Sequence, residues 1–74
     1  MPRVGAFQGI TIYIYAKDHN PPHVHALYNG MEAQIAIATG AVLEGSLPGN
    51  RLRLAQDWVR ENSEMLQAKW DELK

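Results

Sequence analysis

The stretch that organises this chain is His23-Val-His-Ala-Leu-Tyr-Asn-Gly-Met-Glu-Ala-Gln-Ile-Ala-Ile37, which predicts a β-hairpin. Asn29-Gly30 is the strongest short-range signal for a type I′ turn, because both central residues of that turn need positive φ. A two-residue loop also sets the register of the two strands. On the side that forms the core, the facing pairs are Tyr28 with Met31, Ala26 with Ala33, and Val24 with Ile35.

The other side of the predicted hairpin is polar. His23 and His25 point away from the apolar side, toward the side that carries Gln34 and Glu32. Because successive strand residues alternate between faces, both imidazoles should lie outside the core. We therefore expect their replacement by alanine to cost little stability.

Strands are also predicted on both sides of this hairpin. Ile10-Thr-Ile-Tyr-Ile-Tyr15 alternates apolar with half-polar residues, and residues 3–7 can pair with it through a turn at Gln8-Gly9. Lys17-Asp-His-Asn-Pro-Pro22 interrupts the pattern as a loop, since proline has no amide hydrogen to donate. Beyond the hairpin, Thr39-Gly40 turns the chain into a short strand over Ala41–Glu44.

From Leu47 onward the apolar period becomes helical, with residues recurring three and four apart up to Leu73. Asn50 is placed to begin the helix, and Asn62-Ser63-Glu64 is a second start signal. This predicts one bent helix or two helices meeting near residues 61–63. The expected fold is α+β: a single domain over residues 1–74, with an antiparallel meander of about four strands covered on one face by the C-terminal helix.

The composition narrows the classes of function. The 74 residues include no cysteine, which excludes disulfides, thiolate metal sites and cysteine nucleophiles. The net charge is −1, so the chain lacks the strong positive field that drives non-specific nucleic-acid binding. Apolar stretches fall short of the roughly 20 residues that cross a bilayer, and no export signal precedes them. We expect a cytoplasmic protein without a membrane partner.

All three histidines fall within Asp18-His-Asn-Pro-Pro-His-Val-His25, which makes this segment the candidate site. One interpretation is a divalent metal held by His23 and His25, with Asp18, His19 or Glu32 as a third ligand. Another is metal-free general acid–base catalysis on a phosphodiester, with catalytic candidates His23, His25, His19 and Asp18. A third is purely structural, with the histidines bonded to loop carbonyls.

The pattern of motifs resembles a family of small prokaryotic domains of unknown function marked by an Asp-His-x-Pro-Pro-His-x-His signature. The resemblance covers essentially the whole chain and rests on the segments Tyr13–His25, Glu32-Ala33, Gly40–Gly45, Leu47-Pro48 and the Trp-containing C-terminal helix. It implies that Asp18, His19, Pro21, Pro22, His23 and His25 form the family's characteristic site. It does not specify the chemistry of that site.

This resemblance implies a place in a type II toxin–antitoxin pair. The histidine-motif protein is then the toxin-like member, and its partner is a small antitoxin encoded by the adjacent gene. Our first hypothesis is a toxin that acts through its histidine-rich face, with RNA as the target. The alternatives are a non-enzymatic interaction module, such as an antitoxin or adaptor, and a small metal-binding protein.

Overall fold

A computed structural model describes residues 3–15 and 19–73 of the chain. The described part is an antiparallel sheet of five strands in sequential order, followed by two helices. The strands are β1 (Arg3–Phe7), β2 (Ile10–Tyr13), β3 (His23–Tyr28), β4 (Met31–Ala36) and β5 (Val42–Gly45), and the helices are α1 (Arg51–Glu61) and α2 (Ser63–Glu72). The α+β meander expected from the sequence is therefore confirmed, with one strand more than expected.

The hairpin that joins β3 and β4 has the predicted register. Asn29 and Gly30 both have positive φ, at 50° and 79°, as a type I′ turn requires. Val24 pairs with Ile35, and His25 pairs with Gln34. The turn between β1 and β2 repeats this geometry, because Gln8 and Gly9 also have positive φ. The meander thus follows from two local turn signals.

The bounds of β2, β4 and β5 differ from the prediction, and β4 differs only in ending at Ala36 instead of Ile37. β2 ends at Tyr13, where it pairs with His25, although the alternating pattern continues to Tyr15. Its neighbour β3 begins only at His23, after two prolines that have no amide hydrogen to extend the ladder. β5 is shifted by one residue, to Val42–Gly45, and a register shift opposite Gln34 and Ile35 marks a bulge in it.

The helices cover one face of the sheet. Asn50 precedes α1 and Asn62 lies between α1 and α2, but neither side chain caps the helix that follows it. The Asn62 side-chain amide donates instead to the carbonyl oxygen of Trp58, at 2.8 Å. The core between sheet and helices is built mainly from isoleucine, valine, alanine and leucine and includes Ile10, Ile12, Ile14, Val24, Ala26, Ala33, Ile35, Ile37, Leu47, Ala55, Val59, Leu66 and Trp70.

Within residues 3–15 and 19–73, neither helix has the length and apolar character needed to span a membrane.

Candidate functional site

The structure brings most of the predicted site residues onto the face of the sheet opposite the one that carries Val24 and Ile35. His23 and His25 lie in β3, Glu32 lies in β4, and His19 lies in the exposed loop before β3. Asp18 falls outside the described residues. The described candidates form one continuous cluster, because His19, His23 and His25 follow one another ring to ring and His25 contacts Glu32.

His23 is held at the start of β3 by the loop that precedes it. Its Nδ1 lies 2.8 Å from the carbonyl oxygen of Pro21. A carbonyl oxygen only accepts hydrogen bonds, so His23 Nδ1 carries a proton and donates it. The ring also packs against Trp70 of α2, with 5.5 Å between ring centroids. The proline-rich loop and the second helix thus fix this imidazole together.

His25 is held by a carboxylate. Its Nδ1 pairs with Oε2 of Glu32, which lies diagonally across the hairpin. The Glu32 side chain is 43% exposed, whereas His25 is only 6% exposed, so the carboxylate reaches in from the solvent side. A carboxylate that accepts from Nδ1 fixes the orientation of the imidazole ring, as it does in catalytic triads.

Both imidazoles therefore use the same nitrogen for positioning. With Nδ1 as the donor in His23 and in His25, the lone pair of each neutral ring lies on Nε2. The two rings are adjacent, with 5.0 Å between their centroids. Two neighbouring imidazoles with the same tautomer are able to share the tasks of taking up and delivering a proton.

The burial of these histidines contradicts the expectation that they lie outside the packed interior. His23 and His25 are 4% and 6% exposed, although the register does direct them away from the core face. The ring centroids of Tyr15 and His25 are 4.2 Å apart, and Trp70 covers His23. Because these covering rings come from distant parts of the chain, the alternation of strand residues gave no sign of them. Removing either imidazole should therefore cost stability.

Aromatic rings extend the site along the polar face. Tyr13 and Tyr15 are stacked with an interplanar angle of 11° and 6.3 Å between centroids. Tyr15 in turn contacts His25, which contacts His23. We call these four rings, Tyr13, Tyr15, His23 and His25, the ring cluster. Within it the two tyrosines are partly buried and the two histidines are buried.

A cavity lies beside the ring cluster, toward the β5 edge of the sheet. Its volume is about 200 Å³, and it is lined by Glu32, Gln34, Glu44 and Gly45. Gln34 pairs with His25 on one side and with Glu44 on the other, so one cross-strand row leads from the imidazole to the cavity. Sequence reasoning overlooked Glu44, since its place in that row depends on the bulge in β5.

The described side chains do not include a group of three or more histidine, aspartate or glutamate residues arranged to hold a metal ion. His23, His25 and either His19 or Glu32 are thus neighbours without forming a ligand set. The variant of the metal hypothesis that uses Asp18 involves a residue outside the described part of the chain.

Comparison with known proteins places the chain in a family. The model of the family described as "Domain of unknown function (DUF4160)" matches residues 9–71, so the chain belongs to this family. No curated protein and no solved structure shows a significant match. The matched region contains all the candidate site residues, but the family description assigns them no activity.

Proposed function

We propose that this DUF4160 protein is the toxin-like member of a prokaryotic type II toxin–antitoxin pair and that its ring cluster cleaves single-stranded RNA without a metal. The observation that carries the proposal is the pairing of His25 with Glu32 beside a second oriented imidazole, that of His23. The resemblance of the sequence to toxin-like proteins supports the cellular role. The geometry supports the chemistry.

In this proposal His25 is the general base. Nε2 of the neutral ring takes the proton of a ribose 2′-hydroxyl, and the 2′-oxygen then attacks the adjacent phosphorus. The positive charge that develops on the imidazole is stabilised by Glu32, whose carboxylate accepts from Nδ1. Glu32 is accordingly a positioning residue, because it acts through His25.

His23 is the general acid of the same step. Its protonated form delivers the Nε2 proton to the leaving 5′-oxygen as the bond between phosphorus and that oxygen breaks. The Pro21 carbonyl holds Nδ1, so the ring presents Nε2 in a fixed direction. The products are a 2′,3′-cyclic phosphate and a free 5′-hydroxyl. One proton has moved from the 2′-oxygen to His25, and another has moved from His23 to the 5′-oxygen.

The substrate class follows from the surroundings of the two imidazoles. Tyr13 and Tyr15 offer stacked faces next to His25, and each unpaired base has a π face that can stack on such rings. The net charge of −1 lacks the broad positive surface that would grip a duplex backbone. Single-stranded RNA, bound through its bases, therefore suits the site better than double-stranded nucleic acid.

Cleavage can be tested on a fluorescent single-stranded oligoribonucleotide. The wild-type protein should produce fragments that end in a 2′,3′-cyclic phosphate, detected by mass spectrometry, and should leave the same sequence uncut when every ribose is 2′-O-methylated. His25→Gln or His23→Gln should lower the rate about 100-fold or more, since each removes one proton-transfer group. If a folded variant with both substitutions still cuts RNA at the wild-type rate, the two histidines do not catalyse the cleavage.

A kinetic test distinguishes a positioning role of Glu32 from a purely structural one. Glu32→Gln should lower kcat while leaving KM nearly unchanged, because the lost charge acts on His25 during proton transfer and not on RNA binding. Glu61→Gln is the matched control, since it removes the same charge from an exposed position at the end of α1. Equal kinetic effects of the two substitutions would contradict the assignment.

The cellular role has its own test. Expression of the wild-type chain alone should slow growth, and co-expression with the protein encoded by the adjacent gene should restore it. The His23→Gln, His25→Gln variant should be harmless at equal expression and with a cooperative melting transition. If this folded variant is still toxic, growth inhibition does not depend on the ring cluster.

A further inference from the structure

β5 is the last strand of the sheet, so its outer edge is not paired with any described strand. Backbone groups on an edge strand alternate between the neighbouring strand and the outside, which leaves donors and acceptors available to another chain. Leu43 is the extra residue of the bulge in β5 and is 45% exposed. This edge thus combines open hydrogen-bonding groups with an apolar side chain.

The polar side of the same edge is acidic. Glu32 and Glu44 line the 200 Å³ cavity together with Gln34 and Gly45, and these lining residues include no base. In the described part of the chain, neither hydrogen bond nor ion pair links Glu44 to a cationic side chain. Two carboxylates and a side-chain amide around a space of this size match a guanidinium group, which is planar and donates five hydrogen bonds.

We infer that the outer edge of β5 binds an extended segment of a partner protein, which adds as a sixth strand and places an arginine between Glu32 and Glu44. Side chains of such a strand alternate between the two faces of the sheet. A residue on one face reaches the cavity. Its neighbour on the other side contacts the apolar edge near Leu43.

A second copy of this chain fits the edge less well. Two β5 strands paired with each other would bring both Glu44 carboxylates onto one narrow seam, where like charges repel. Pairing of β5 with β1 of another copy would supply Arg3, but it joins unlike edges and generates rings or open chains of molecules rather than a closed two-fold dimer. Charge complementarity therefore favours a separate, basic partner.

The position of the inferred strand has a consequence for the site. Glu32 lines the cavity and also accepts the Nδ1 hydrogen bond of His25, so an arginine bound there competes for the same carboxylate. A partner on β5 would thereby inactivate the imidazole as well as narrow the approach to it. That the partner silences a toxin rests on the proposed function, whereas the binding of a basic strand does not.

The binding surface can be tested with a synthetic peptide. The probe is a capped seven-residue peptide of alternating threonine and valine with arginine at its centre, and its matched control carries citrulline, the neutral isostere of arginine. We expect the arginine peptide to shift the amide NMR signals of Leu43 and Gly45, and to bind at least about fivefold more tightly than the citrulline peptide. Glu44→Gln should remove this preference, whereas Glu61→Gln should keep it.

Three outcomes would overturn the inference. The first is equal affinity for the two peptides, and the second is a set of shifts confined to β1 or the helices. The third is self-association of the chain alone, seen as a mass that rises with concentration in light scattering and is abolished by Glu44→Lys or Arg3→Glu. RNA cleavage by the wild-type protein is measured separately, so failure of peptide binding leaves the proposed function intact, and absence of cleavage leaves the docking edge intact.

Discussion

On the helix-covered face of the sheet, Ile12, Val24 and Ile35 are fully buried by apolar side chains, whereas on the opposite face His25 is nearly as buried among rings and one carboxylate. The first face is stabilised by non-directional apolar packing, which tolerates exchange between side chains of similar volume. The second face needs a specific partner for each polar atom, because a buried donor without an acceptor is costly. Burial alone therefore does not distinguish the two faces, but the nature of the contacts does.

Under the proposed function, stability and activity are divided between the two faces. Substitutions on the apolar face should change the fraction of folded protein without changing the activity of each folded molecule. Substitutions in the ring cluster should change activity beyond their effect on folding. Matched substitutions on the two faces test this division.

The largest loss of stability is expected on the apolar face. Ile35→Ala removes a fully buried side chain from the central part of the sheet and should lower the free energy of unfolding by about 2–5 kcal/mol. Leu43→Ala, at an exposed position, should change it by less than about 0.5 kcal/mol. Urea titration followed by tryptophan fluorescence measures both. A large effect of the exposed substitution would show that β5 belongs to a core not evident from burial.

An intermediate loss is expected where β5 meets the polar face. Gly45 and Gly30 have nearly equal φ, at 78° and 79°, but a Cβ on Gly45 would lie 2.2 Å from the backbone oxygen of Glu32, whereas a Cβ on Gly30 has nothing within 4 Å. Gly30→Ala should cost about 1–2 kcal/mol from the left-handed backbone alone. Gly45→Ala should cost more, since β5 must also move away from β4.

Thermal unfolding of the two glycine variants measures the difference. The displacement of β5 should also alter the cavity beside Glu32, so Gly45→Ala is expected to weaken the arginine peptide while Gly30→Ala leaves it unchanged. Equal melting temperatures would mean that the close approach of β5 to Glu32 does not restrain the edge.

The smallest effect on stability is expected for the hydrogen-bonded pair of His25 and Glu32 on the polar face. In a double-mutant cycle, His25→Gln and Glu32→Gln should show a coupling energy of about 1 kcal/mol, because the pair is half-shielded from water. The exposed Arg53 and Asp57 pair, with 4.0 Å between Nε and Oδ2, should give less than about 0.5 kcal/mol. If the coupling energy is as small as that of the control pair, the contact between His25 and Glu32 is no stronger than an ordinary surface contact.

Several parts of this picture could be read from local sequence. Asn29-Gly30 selected one turn type and thereby the register of β3 and β4, which in turn placed His25 diagonally opposite Glu32. Asn62 marked the break between the helices, and the helical period put Trp70 on the buried stripe. Each of these features depends on residues a few positions apart, so elementary backbone and side-chain geometry is sufficient to predict it.

Other parts depended on contacts between distant segments. Tyr15, which follows β2, packs against His25, and Trp70 of α2 packs against His23. These contacts bring three separate elements of the chain together. The cavity at Glu44 depends on a bulge in β5. Neither alternation nor helical period contains this information, because both describe which face a residue occupies and not what lies against that face.

Local sequence patterns set the order of the meander, the orientation of the hairpin's side chains and the gathering of three histidines before and within one strand. The burial of His23 and His25, their donation through Nδ1 and the acidic cavity beside them arise from tertiary packing. The two sets of features differ because the forces behind them act over different ranges. Turn and strand preferences act between neighbours in the chain, whereas burial and proton position are set by whichever distant groups the packed sheet and helices bring into contact.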